Sequence, residues 1–369
     1  MIKRTECVIC RSSIDSLHSF KNFPIYMGVH SNLTPCTFED MDWGACIKCG
    51  CVQLQSLVDL NVLYQTPHNP AIGKTWSDHN VSFSKYIIDG GAKSLLDVGG
   101  ANFKIGNLVC LSDSVESYTV IDPSVNLYAD QKCPKIKIIQ ELIEGISSNE
   151  KYDGLVMSHT LEHIYDPVSI LKTLGEFVVD GGSVFVSVPN IENQLKDGFL
   201  NALNFEHTYY ISEKYMALLA ATAGFEIVDT FQFSKYNSFY TFKKNKDAVI
   251  VPILNINEAK TIYKSHIELL HQDVANINEC IDDRLVYCFG AHIFSQMLIS
   301  AGLNTNSLIG FLDNDTNKTG KCLYGTDIMV YNPSVLEVQS NPFVVLRVAQ
   351  YCEEVVGGLM KINRNVCII

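Results

Sequence analysis

Four cysteines near the N-terminus have a type and spacing that suit metal chemistry. Cys7 and Cys10 form one C-x2-C pair, and Cys46 and Cys49 form a second. A tight turn presents two sulfurs from each pair, and four thiolates match the tetrahedral preference of zinc. No open coordination position is implied, so the expected zinc is structural. Cys36, Cys51, His18 and His30 stand nearby as substitute ligands. A second constellation lies in SLLDVGGANFKIG (94–106). An apolar run carries Asp97 and ends at Gly99 and Gly100, which let the backbone turn tightly and approach a ligand. The spacing is not a strict G-x-G-x-x-G, and no Walker lysine follows. The next apolar run ends at Asp122 in TVIDPS. An acid at that place can accept hydrogen bonds from both ribose hydroxyls of an adenosyl group. A nicotinamide dinucleotide would use the same pair, so the pair alone does not choose the cofactor.

These residues need elements to position them. Residues 1–60 are short, irregular and rich in Cys, Pro, Asn and Asp, so a metal staple is expected to hold them. Residues 61–80 read as a linker into a helix. Apolar runs then recur at 94–100, 117–123, 135–140, 153–159 and 182–190, with helical patterns such as PVSILKTLGEFV (167–178) between several of them. That alternation predicts a parallel sheet covered on both faces. A further helix is predicted over 213–223, closed by Gly224, and a linking helix over 256–280. From 284 a second strand-turn-helix unit begins, with strands expected at 307–315, 327–331 and 341–349. The predicted fold class is α/β, with units at 1–62, 63–245 and 246–369.

The composition narrows the function classes. The chain has 369 residues, 47% of them hydrophobic and 18% charged, with a formal net charge of −12. Such a chain can build cores and is not disordered in type. Its acidity, with a pI of about 5.3, argues against a surface that grips a phosphate backbone. A small-molecule substrate fits better. No apolar stretch is long enough to span a membrane and no secretory h-region is visible, so a cytoplasmic protein with reduced thiols is expected. The oligomeric state is not readable.

The fourth apolar run with its loop, YDGLVMSHTLEHIYDP (152–167), resembles the corresponding segment of class I S-adenosylmethionine-dependent methyltransferases, and GGSVFVSVPN (181–190) resembles the strand that follows it there. The resemblance implies a Rossmann-like core in which Asp97, Gly99, Gly100, Asn102, Asp122, Ser158 and His159 line the cofactor pocket. His163 reads as a residue that holds the loop. The whole chain is similar to three-domain enzymes that methylate carbon on nucleotide-linked keto-deoxysugars: a zinc domain, the methyltransferase core and a smaller C-terminal Rossmann-like α/β domain. LNFEHTYYIS (203–212) is similar to that family's "YHEH-x-x-YFS" loop. The similarity implies that Glu206 and His207 sit over the substrate; His207 is expected as general base and Glu206 as its partner, and Tyr64 is a further catalytic candidate in the pocket wall. His68, Trp76 and His79 are further candidates for the pocket wall. Asp313, Asn314 and Lys318 read as a solvated turn. Asn204 and Phe205 replace the family's tyrosine and histidine, which keeps open an O- or N-methylated acceptor, or a scaffold that binds the cofactor without catalysis.

Overall fold

The computed structural model describes residues 1–31, 35–63, 73–100, 102–125, 130–145, 150–281 and 284–369. The N-terminal region is more regular than its composition suggests. Strands β1 (Ile14–Pro24), β2 (Phe38–Cys46) and β3 (Val52–Leu54) form a three-stranded antiparallel sheet in that order. Its core comes partly from elsewhere. Trp43, 2% exposed, packs its ring 5.9 Å from that of Tyr263 on a distant helix. Phe23 meets Phe205 edge-on at 6.2 Å. The sheet forms because other parts of the chain cover its apolar face.

The central layer follows the predicted alternation. Helix α1 (Lys74–Asp89) leads into β4 (Ser94–Val98), α2 (Lys104–Val109), β5 (Ser117–Ile121), β6 (Ile136–Ile139) and β7 (Tyr152–Ser158). Then come α3 (Pro167–Gly175), β8 (Val178–Pro189), α4 (Ile191–Lys196) and α5 (Glu213–Thr222). Strands β4, β5, β6, β7 and β8 pair in parallel, and their continuous apolar runs suit a sheet buried on both faces. A hairpin that the sequence reading did not foresee completes the layer: β9 (Phe225–Ser234) and β10 (Asn237–Lys244). Strand β10 inserts antiparallel between β8 and β9, giving the order β9-β10-β8-β7-β4-β5-β6. The reversal of strand order between β4 and β7 opens a crevice at their C-terminal ends, where ligands of such sheets bind.

The predicted linking helix is α6 (Glu258–Ile281). A five-stranded parallel sheet follows, built from β11 (Val286–Phe289), β12 (Leu308–Leu312), β13 (Val330–Tyr331), β14 (Phe343–Leu346) and β15 (Cys367–Ile368), in the order β13-β12-β11-β14-β15. Helix α7 (Ile293–Ser300) follows β11, and α8 (Cys352–Ile362) precedes β15. The three regions are cross-tied. Val29–His30 pairs antiparallel with Cys322–Leu323. Gln296 Nε2 donates to the Tyr26 carbonyl (2.9 Å), and Arg347 grips Asp273 of α6 through two bonds of 2.7 and 2.9 Å. One continuous cluster of buried apolar side chains runs through all three regions, from Cys7 to Val345. Among the described residues, no helix is long and apolar enough to cross a membrane.

Candidate active site

The crevice is shaped first by what the glycines lack. Gly99 turns at φ 85°, and its N–H donates to the Ile121 carbonyl (2.9 Å). A Cβ on Gly99 would stand 2.5 Å from Thr160 Oγ1, and one on Gly100 would stand 2.1 Å from Asp97 Oδ2. Only bare backbone fits at either place. Asp97 is buried beneath the turn. The Tyr118 hydroxyl donates to its Oδ2 (2.8 Å), while Oδ1 meets no donor. Burial pushes this carboxyl up to about 7, against the pull of Tyr118. An orphaned oxygen on a buried acid, under a glycine turn, suits a cationic ligand. Asp122 follows β5, beside Gly99, and accepts the Ser124 N–H on Oδ1 (2.6 Å). Asn102 accepts the Lys104 N–H on its side-chain oxygen (3.1 Å) and so helps to start α2. Ser158 ends β7, next to β4.

Histidines cluster in the loop after β7. His159 sits in the left-handed region (φ 51°), a strained place for a non-glycine residue. Asn237 Nδ2–H donates to His159 Nε2 (2.9 Å), so Nδ1 carries the ring proton and donates to Glu162 Oε1 (3.0 Å). Glu162 is fully buried. Burial works to raise its carboxyl, but His159's hydrogen bond and the neighbouring histidines win and hold it below the usual range. His207 presents its Nδ1–H to the Ala202 carbonyl (3.2 Å), and burial lowers its basicity. Its imidazole is therefore neutral near pH 7, with the lone pair on Nε2. The Glu206 carboxylate lies 3.9 Å from His163 Nδ1, and burial pushes it up to about 8.

An open cleft of about 170 Å³ lies against this cluster, with His79, His159, His207 and Asn237 in its wall. Trp76 closes one side. Its ring meets that of His159 at 4.9 Å, and its Nε1–H donates to the Tyr351 hydroxyl (3.0 Å). His79 bonds Ser187 Oγ through Nε2 (2.8 Å), and burial drives its pKa down to about 3, so it stays neutral.

The four N-terminal cysteines form two matching knuckles. Cys7 and Cys46 each accept, on the carbonyl, the N–H of the residue just after the second cysteine of the pair: Arg11 at 3.1 Å and Gly50 at 3.0 Å. Both of those residues are left-handed, at φ 59° and 74°. The turns bring all four Sγ atoms within 4.8 Å of one another, with Cys7–Cys49 at 3.6 Å and Cys10–Cys46 at 3.4 Å. Hydrogen bonds from the Cys49 and Cys7 thiols, then the N–H groups of Cys49 and Lys48, favour Cys46 as thiolate. Sulfurs at these separations fit a tetrahedral zinc site. The substitute ligands stand elsewhere: Cys36 Sγ accepts the Gly325 N–H (3.2 Å), and His18 contacts Tyr263.

The structure thus gathers Asp97, Gly99, Gly100, Asp122, Ser158 and His159 at adjoining strand ends, and puts His207, Trp76 and His79 around one cleft. Tyr64 and His68 lie outside the described residues. Asn204 and Phe205 serve the loop itself. Asn204 Oδ1 accepts the N–H groups of Glu206 and His207 (2.7 and 2.8 Å), and Phe205 is buried against Phe23. The Asp313–Lys318 turn is built inward: Lys318 is 8% exposed and donates to Asp313 Oδ2 (2.8 Å). Sequence reasoning missed Asn237, Gln194, Tyr236 and Gln350 in the cleft wall. Nothing local marks them, because they arrive from the hairpin, α4 and the C-terminal region.

Residues 76–230 match the family model of a methyltransferase domain. No curated protein matches the chain at a significant level. Solved structures similar to it include the methyltransferase domain of bacterial CtHen1-C (18% identity, TM-score 0.40, 47% of this chain and 100% of that one). An O-methyltransferase family protein from Burkholderia thailandensis is similar at 12% identity and TM-score 0.38, over 47% of this chain and 59% of its own. The N-methyltransferase NodS from Bradyrhizobium japonicum WM9, in complex with S-adenosyl-L-homocysteine, is similar at 15% identity and TM-score 0.37, over 49% and 91%.

Proposed function

Taking the chain as an S-adenosylmethionine-dependent methyltransferase, we propose that it methylates a carbon of a nucleotide-linked keto-deoxysugar held in the cleft beside His159 and His207. The observation that carries this reading is His207 itself. Its neutral ring is fixed by the Ala202 carbonyl, and it stands in the cleft wall with a lone pair on Nε2. Carbon methylation beside a ketone needs such a base.

The methyl donor fits the residues present. The bare backbone of Gly99 and Gly100 lets Thr160 and Asp97 pack against the turn, Asp97's orphaned oxygen complements the donor's positive charge, and an aspartate at Asp122 suits its ribose hydroxyls. When bound, it supplies a methyl group already activated on a positive sulfur. The chain's own residues then have two tasks, alignment and removal of the acceptor proton. Trp76 and Tyr351 wall the acceptor, and His207 takes the proton. Glu206, raised to about 8, is protonated at neutral pH and stands 3.9 Å from His163, behind the cleft wall, where it supports the loop that carries His207. Tyr64 belongs to the same proposal as a third acceptor-side group. Zinc in the four-thiolate site would act as a structural staple for the N-terminal sheet.

His207→Gln and His207→Asn should lower turnover about a hundredfold or more while S-adenosylhomocysteine binds as before. Retained turnover in both variants would sink the assignment. Asn204 and Phe205, where the resembling family carries tyrosine and histidine, favour one second reading, an acceptor oxygen or nitrogen. Carbon NMR of the product separates the two.

A further inference from the structure

Glu162, His163 and His207 reach one point from two separate loops. One ring nitrogen from each histidine and one carboxylate oxygen lie within 4.8 Å of one another. Glu162 is 0% exposed; His159 occupies its Oε1, and its Oε2 meets no donor. Leaving such an oxygen unpaired in a buried site is costly, the more so when it is charged, unless something positive meets it.

We propose that Glu162, His163 and His207 hold a divalent first-row transition cation in the wall of the acceptor cleft. Two imidazoles and one carboxylate are borderline donors, suited to manganese, iron, cobalt, nickel or zinc rather than to the all-oxygen cages of calcium and magnesium. Ligand distances of about 2.0–2.2 Å require the three side chains to close in modestly. The surrounding hydrogen bonds are those of a metal site. The Ala202 carbonyl fixes the His207 tautomer, His159 orients Glu162, and Asn237 orients His159. Three protein ligands leave coordination positions open, and His207 puts them within reach of a molecule in the cleft.

The acceptor class that fits is one presenting an oxygen, either a hydroxyl or the oxygen of an enolisable carbonyl. Bound to the cation, it loses its O–H or α-C–H proton to water. The electron pair left behind forms the bond to the methyl carbon, and the electrons of the broken S–CH3 bond return to sulfur. Neither the cation nor the substrate changes oxidation state. This use of the site rests on the methyl-transfer reading, whereas the site itself does not. His207 serves as the base in the cation-free protein; with the cation bound its lone pair is taken and the acceptor proton leaves to water.

The test is Mn2+ titration of the full-length protein carrying one zinc per chain, which the four thiolates take first, followed by the six-line EPR signal of free Mn2+. Thiolates disfavour Mn2+, so the cysteine knuckles do not compete. The expected result is one bound Mn2+ per chain, with affinity lowered about tenfold to a hundredfold or more in Glu162→Gln and His163→Gln. Unchanged zinc content in both variants controls for folding, and His163→Gln stands if Glu162→Gln fails to fold. A wild-type signal that stays fully free into the millimolar range would overturn the proposal, as would variants that bind like the wild type. Calorimetry with S-adenosylhomocysteine on the same samples separates the readings. Mn2+ bound without it keeps the cation site and sinks methyl transfer, and the converse sinks the cation site and returns the proton to His207.

Discussion

The chain turns at Gly99 after β4 (φ 85°) and at Gly290 after β11 (φ 97°). In each case the glycine N–H donates across to the next strand, to Ile121 at 2.9 Å and to Leu312 at 2.8 Å. Each next strand is followed by an aspartate, Asp122 or Asp313. There the likeness ends. Asp313 is filled by its own surroundings: Ala291 N–H and Lys318 Nζ on Oδ2, and Asp315 N–H on Oδ1. At the position matching Asp97 the second unit carries Cys288, whose sulfur lies 3.3 Å from Ser295 Oγ. In the first unit, Asp97 keeps an oxygen with no donor. One backbone motif therefore leaves a buried acid's oxygen open in one place and is closed by its own packing in the other. The side chains decide which, in keeping with the independence of function from fold.

The largest expected effect tests the closed unit. Asp313→Ala strands Lys318 in a mostly buried site and should cost about 3–5 kcal/mol of stability. Calorimetric unfolding reads that loss, and S-adenosylhomocysteine affinity should not move. A lost affinity in folded protein would show that the second unit serves the ligand too. Next comes the open unit. Gly100→Ala drives a Cβ toward Asp97 and should cost about 1–3 kcal/mol, read as about tenfold to a hundredfold in S-adenosylhomocysteine affinity. Gly290→Ala should disturb the fold around Val348 and leave that affinity alone.

The smallest effect is a pH dependence. Asp97 is protonated below about 7 and ionised above it, and a positive ligand favours the ionised form. S-adenosylhomocysteine, whose amino group is positive, should therefore bind up to about tenfold more tightly at pH 8 than at pH 6. Asp97→Asn should flatten that profile, and a profile that kept its slope would move the titration to another group. The sign for the free protein is opposite. A carboxyl raised on folding contributes stability at acid pH, and this is lost as pH rises through about 7.

What was legible in the sequence is what is local. A four-thiolate metal site needs two sulfurs from one turn, so Cys7/Cys10 and Cys46/Cys49 announce themselves by spacing. The glycine turn and the parallel strands are likewise written in short runs. Trp76 and His79 were readable only as candidates near a pocket. The hairpin β9–β10 was not read, because its place between β8 and its own partner depends on a pairing no short window contains. The N-terminal sheet looked irregular because its cover, Tyr263 and Phe205, lies far along the chain. The Glu162–His163–His207 grouping was hidden for the same reason, since His163 alone reads as a loop residue.

The tie between Val29–His30 and Cys322–Leu323 has a consequence for biosynthesis. His30 Nε2 also bonds the Thr326 carbonyl (3.0 Å), 296 residues further along the chain. At about 5–20 residues per second, that partner leaves the ribosome roughly 15–60 s after His30 does. Throughout that interval the N-terminal strand has an unsatisfied edge, the kind that recruits foreign chains. The nascent protein thus passes through a stage in which its first region waits on its last.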